Sequence, residues 1–334
     1  MSEERRRRAA FGVLALGLLL SLALAVSAGS VALPPLGSIA TLFGGGHLDA
    51  TERTILLTVR LPRVLLAVLV GGGLGIVGAA LQSLFRNPMA DAGLLGVGPG
   101  AAFGAVLAVN LGLHTAFLGL PLAAFAGAMA AVLLVYALAH ASGRPSLHGL
   151  LLTGLAVAAV AGAGTSVLLV ATEEFRVRTV LFWLAGSLEG RGWEHVRLAA
   201  SFVGLGSLAL FALSRPLDVL SLGEVEAASL SLPVHRTRMA VFALASLVAG
   251  PATAFAGAVP FVGLVAPHAL RPLVGPLARH LLPASFLGGA MLVVVADAAA
   301  RSLSSQFDLP LGSLTAFVGA PYFLYALRAN EGRE

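Results

Sequence analysis

VLLAVLVGGGLGIVGAALQSL, from Val64 to Leu84, runs for 21 residues without one ionisable side chain. At 1.5 Å rise per residue, about 20 residues cross a hydrocarbon core about 30 Å thick, so this stretch is long enough to span a bilayer. Inside lipid no water satisfies the backbone, which leaves a helix as the form an isolated spanning segment takes. Gly71, Gly72, Gly73, Gly75 and Gly78 crowd its middle. In water they would weaken a helix, but in lipid they let two backbones approach closely. The pattern predicts a tightly packed membrane helix; a ligand path lined by glycine is the alternative reading.

Working outward, similar runs recur at 11–33, 94–113, 116–139, 149–171, 196–213, 239–258, 282–296 and 311–327, with a shorter one at 261–269. About ten helical segments are therefore expected, in a compact all-α bundle embedded in the membrane. The whole chain agrees: of 334 residues 58% are apolar and 11% charged, and the mean hydropathy is +0.93. A water-soluble surface cannot be built from that composition. There is no cysteine, which excludes disulfides and thiolate metal sites. The high pI does not indicate a nucleic-acid partner, because the basic residues, all of them arginine, lie scattered between apolar runs. Residues 1–10 read as a basic cytoplasmic terminus preceding a single transmembrane domain over 11–328; the run after Arg5–Arg8 is too long for a cleaved signal. With both termini in the cytoplasm, 13 of the 21 arginines fall on the inner side, Arg86, Arg144 and Arg333 among them. That bias has the sign of the positive-inside rule.

Two connections are too long to be simple turns. Residues 172–195 predict a short interfacial helix with Trp183 at headgroup level. Residues 214–238 predict a short amphipathic helix in the cytoplasm, with Ser221 and Glu224 at capping-box spacing and Pro233 ending the segment. Glu224 and Glu226 disfavour anionic lipid as its partner and favour a protein. The sequence has no G-x-x-x-x-G-K-[ST] loop of its own, so ATP hydrolysis would belong to another chain.

Four segments together resemble the permeases of the ferric siderophore, haem and cobalamin ABC importers. They are Arg60-Leu61-Pro62-Arg63 with the glycine-rich span and Gln82; Arg86-Asn87-Pro88-Met89-Ala90-Asp91 with Gly96 and Gly100; Leu222-Gly223-Glu224 with Ala227 and Ala228; and the stretch from Phe261 through Pro267-His268 and Arg271 to Asp297, Arg301 and Pro310-Leu311-Gly312. The resemblance covers about residues 55 to 325 in order. It implies ten transmembrane helices and a homodimer around a central path in the cytoplasmic (inner) membrane. It also implies two cytoplasmic ATPase subunits that carry ATP and Mg, and a periplasmic or lipid-anchored binding protein. No cofactor, metal site or catalytic residue is implied in this chain. The chain departs from the pattern at Ala92, where the family has proline, and at Leu230-Ser231-Leu232, where it has Leu-Gly-Val.

From that resemblance follow residue expectations. Leu222, Gly223, Glu224, Ala227, Ala228 and Leu230 would couple to the ATPase. Arg60, Arg63 and Arg301 would meet carboxylates of the binding protein at the outer face; headgroup contact, or a local pair of Arg301 with Asp297, is the alternative. Gln82, Asn87, Pro88, Gly100, Pro310 and Gly312 are candidates for the pathway or its gate, with a tight turn as the other reading of Asn87-Pro88. Pro267, His268 and Asp297 are expected to be structural, His268 through a hydrogen bond rather than as a haem ligand. The expected cargo is an iron chelate, a ferric siderophore or haem. The alternatives are cobalamin and, more distantly, an ion-coupled secondary transporter, which would need paired intramembrane acids.

Overall fold

The computed structural model describes residues 3–29, 33–46, 48–141, 147–303 and 309–331. Arg144 and Arg333, counted above on the inner side, lie outside the described residues. Among the described residues every regular element is helical. In chain order these are α1 (Glu3–Ser27), α2 (Pro35–Leu42), α3 (Ala50–Phe85), α4 (Val97–Asn110), α5 (Gly119–Ala141), α6 (Leu147–Val170) and α7 (Glu174–Ala185). They continue with α8 (Trp193–Ala212), α9 (Ser214–Leu220), α10 (Glu224–Ser229), α11 (Val234–Ala256), α12 (Val262–Val274), α13 (Ala278–Leu303) and α14 (Leu311–Glu331). Seven of them, α1, α3, α5, α6, α8, α11 and α13, are long and apolar enough to cross a membrane; α4, α12 and α14 are shorter apolar helices.

Several boundaries differ from the expected ones. α1 begins at Glu3, so the basic segment is the first turns of the helix. There Glu3–Arg7 and Glu4–Arg8 pair one turn apart, and Arg6 donates to the carbonyl of Pro272. α3 extends back to Ala50 because Asp49 and Glu52 close a reciprocal capping box; a π-helical stretch, Ile55–Arg60, then joins this start to the glycine-rich span. Residues 174–185 do form the short helix expected between α6 and α8. Trp183 on it is only 6% exposed, however, and packs in the core rather than at the headgroups.

α3 lies at the centre, packed most extensively against α13 and also against α11 and α12. Glycine makes this possible. A Cβ at Gly71 would stand 2.3 Å from the Gly289 carbonyl oxygen, one at Gly75 2.2 Å from that of Ser285, and one at Gly78 1.9 Å from that of Gly263. α4 and α5 cross in the same way, where a Cβ on Gly104 would lie 2.2 Å from the carbonyl oxygen of Ala123. Such contacts gain dispersion energy and exclude lipid from the seam. By contrast α6 leaves most of its apolar surface open, with Leu152, Leu155, Val160 and Val167 exposed.

Candidate functional site

At the end of the bundle where α8 passes into α11, the chain makes a pair of short helices, α9 and α10. The expected capping box is absent. Ser221 terminates α9 and donates to the Asp218 carbonyl, while Gly223 occupies the N-cap of α10. Gly223 has φ +139°, a backbone conformation that L side chains rarely adopt, so the turn favours glycine there. α10 is anchored from beneath: Ala227 is fully buried, and Glu224 forms an ion pair with Arg238, on the first turns of α11. On the other side Leu222, Val225 and Leu230 are 62%, 79% and 61% exposed, with Ala228 and Glu226 also open. An anchored platform thus presents three large apolar side chains away from the bundle.

Ser231 ends this platform with φ +62°, the left-handed region. This is the position where the resembling family carries glycine, and the geometry gives the reason. Serine is strained there by about 1 kcal/mol relative to glycine. Ser231→Gly is therefore expected to raise stability by about 1 kcal/mol, read as a higher melting temperature of the detergent-solubilised protein.

At the opposite end of α3 and α13 three arginines gather, two of them on one acid. Asp297 is 1% exposed and receives Nε of Arg63 at 2.9 Å and Nε of Arg301 at 3.0 Å. Arg301 reaches further to the carbonyls of Ala25 and Ala28, and Arg60 to those of Val26 and Ser27. The last carbonyls of α1, which have no partner within their own helix, are thereby satisfied by guanidiniums, and the helix dipole favours positive charge there. Arg60 is 5% exposed. The side chains expected to reach outward to a binding protein are turned inward in this structure, and the local Arg301–Asp297 pair is formed.

The candidates for the pathway are placed as follows. Gln82 is buried between α3 and α12; its Nε2 donates to the Gly263 carbonyl and its Oε1 accepts from Arg271. It bridges two helices instead of lining a space. Asn87 Oδ1 accepts from the Met89 amide, so Asn87-Pro88 forms the tight turn at the end of α3, with Asn87 half-buried and Pro88 exposed. Asp91 nearby accepts from Gly93 N–H at 2.9 Å; burial pushes its carboxyl above the usual range, partly offset by the Gly93 and Leu94 amides. Gly100 packs against Gly127 and Ala131 of α5, and Gly312 against the carbonyls of Ala185 and Ala258. Pro310 immediately precedes α14, whose Leu311 amide donates to the Gly186 carbonyl. Pro267 is buried inside α12. The expected His268 hydrogen bond is not found among the described residues; the ring meets Tyr322 edge-on, with centroids 6.2 Å apart.

Sequence reasoning missed the Arg238–Glu224 clamp and the Arg271–Gln82 bond. The first spans 14 residues and the second 189, both beyond helical spacing, and no local pattern announces either. Among the described residues no group of three or more His, Cys, Asp or Glu side chains could hold a metal ion.

With this geometry in place, the comparisons with known proteins are specific. The model of the FecCD transport family matches residues 17–329. The cobalamin import system permease protein BtuC of Halobacterium salinarum is 45% identical over 85% of this chain and 76% of its own length. The hemin transport system permease protein HmuU of Yersinia pestis is 37% identical over 96% of this chain and 97% of its own. A solved structure of a metal-chelate type ABC transporter in an inward-facing conformation superimposes with a TM-score of 0.85. It shares 32% identity and covers 96% of this chain and 99% of that one.

Proposed function

The chain belongs to the FecCD transport family and is an ABC transporter permease of the inner membrane, and from that membership we propose that it carries an iron chelate, a ferric siderophore or haem, into the cytoplasm. It works as a homodimer with both termini in the cytoplasm. ATP and Mg are bound by two separate ATPase subunits, and a binding protein delivers the cargo from outside. The permease performs no chemistry on its cargo; it alternates access by rigid-body switching of packed helices.

The observation that carries this reading is the anchored platform of α9 and α10. Exposed Leu222, Val225 and Leu230 beside Glu226 form a small apolar patch with an acidic rim. A bilayer surface rich in anionic lipid would repel that rim, whereas a protein partner can match both parts. The pair connects directly into α8 and α11, so force applied there reaches two membrane helices. Docking of the binding protein at Arg60, Arg63 and Arg301 would exchange their internal partners for its carboxylates; three neighbouring guanidiniums, two of them sharing one buried acid, support an acidic partner. Asp297 is held by two of these arginines, which argues against a free proton carrier and so against an ion-coupled transporter.

Cobalamin is a second reading, favoured by the 45% identical cobalamin permease of H. salinarum. The test is uptake in a host stripped of its own permeases, expressing this chain with its ATPase and binding protein. ATP-dependent accumulation of iron-labelled haem or siderophore, without cobalt-labelled cobalamin, is the expected result. Accumulation of the cobalt label alone would overturn the iron reading and leave the importer architecture standing.

A further inference from the structure

Asp218, on α9, lies outside every segment that carried the family resemblance. Its Oδ1 accepts a hydrogen bond from the backbone N–H of Ala278 at 2.5 Å, and its Oδ2 stands 3.9 Å from Nε of Arg279. Ala278 is the first residue of α13, so its amide is one of the donors that the helix cannot satisfy itself. The carboxylate that satisfies it comes from 60 residues earlier in the chain, and the positive end of the α13 dipole strengthens the contact. The Asp218 side chain is only 16% exposed. It faces α13, not the surface formed by Leu222, Val225 and Leu230.

The other end of α13 carries Asp297 and Arg301, the heart of the arginine cluster. From Ala278 to Asp297 a helix rises about 28 Å, close to the thickness of the hydrocarbon core. Between these ends α13 is held to α3 by the backbone contacts at Gly71–Gly289 and Gly75–Ser285, which leave no room for the two helices to slide. One helix pair thus touches the cytoplasmic platform at one end and the arginine cluster at the other.

We propose that Asp218 is the positioning residue through which α9 moves α13, and with it α3, as a single strut between the ATPase platform and the outer arginine cluster. The inference rests on the importer reading above. In the assembled transporter the strut carries the signal both ways: occupancy of the outer face reaches the ATPase, and ATP-driven motion of the platform reaches the outer face. The bond to Ala278 is the one side-chain hydrogen bond from α9 to α13 among the described residues, with Arg279 as a looser ionic neighbour; the rest of the contact of α9 with α13 and α3 is non-directional packing.

The test uses the whole importer in liposomes, with permease, ATPase and binding protein. Two variants remove the same bond from opposite sides. Asp218→Ala deletes the acceptor, and Ala278→Pro deletes the donor at the first helical position, where proline is tolerated. Asp218→Glu keeps an acceptor. In the first two variants, stimulation of ATP hydrolysis by the binding protein is expected to fall about tenfold, within the usual range of coupling between sites. Hydrolysis without binding protein and co-purification of the ATPase should persist, and Asp218→Glu should retain most of the stimulation. A purely structural cap would lower the melting temperature and leave the ratio of stimulated to unstimulated hydrolysis unchanged. That result, or loss of ATPase co-purification, overturns the proposal. A wild-type complex that shows neither stimulation nor uptake of either label overturns the importer reading itself, and the proposal with it.

Discussion

Asp297→Asn is expected to destabilise the protein by about 3–5 kcal/mol, the usual cost of removing one partner from a buried ion pair. Asp297 is 1% exposed and holds Arg63 and Arg301 together. With a neutral amide in its place two guanidiniums, already beside Arg60, face each other in a site with little water to screen them. Their remaining acceptors are the carbonyls of Ala25 and Ala28 for Arg301, which carry only partial charge. The end of α1 at Ala25–Ala28 should loosen as the arginines move toward solvent. In the solubilised protein the melting temperature should drop by about 6 °C or more. Adding Arg301→Gln to Asp297→Asn should recover part of the loss, because the repelling charge is gone. If Asp297→Asn melts with the wild type, the ion pairs of the cluster contribute no stability.

Gly78→Val should be more damaging still. A Cβ at Gly78 would sit 1.9 Å from the Gly263 carbonyl oxygen, and the obstacle is backbone, which no rotamer change can move aside. α3 and α12 would have to separate, breaking the Gln82 bonds to Gly263 and Arg271 in the next turn of α3. The cost is expected to exceed about 3 kcal/mol, beyond ordinary overpacking, and to abolish a monodisperse peak on size exclusion. Gly162→Ala is the control. It lies in a membrane helix of similar composition, yet a Cβ there meets nothing within 4 Å. That substitution should be neutral or stabilise by up to about 1 kcal/mol, through helix propensity alone. Equal behaviour of the two variants would refute the close crossing at Gly78.

These two glycines show where reading from sequence stops. Gly78 and Gly162 each sit in an apolar run, and a helix packed in lipid was the expectation for both. Only the crossing with α12 gives Gly78 its role; Gly162 lies on the open face of α6. The platform is legible in outline, since apolar and small residues at helical spacing, ended by Pro233, mark a helix between two apolar runs. Its cap is not legible in the sequence: Ser221 stands at capping-box spacing from Glu224, yet it ends α9. The arginines were legible as functional candidates, but not their orientation. Whether Arg60 and Arg301 face outward depends on where α1 ends, and Ser27 is 33 residues before Arg60.

The sequence by itself determined the solvent, the all-helical class and the family. Lipid imposes one local solution, an apolar helix of near-fixed length, and motif order survives in the linear chain. Tertiary structure alone decided which glycines are contacts, that Trp183 is core, that Asp297 serves two arginines, and that Asp218 reaches α13. Each of these depends on two backbones meeting at distances set by the whole bundle, and neither partner carries a local signal of the other.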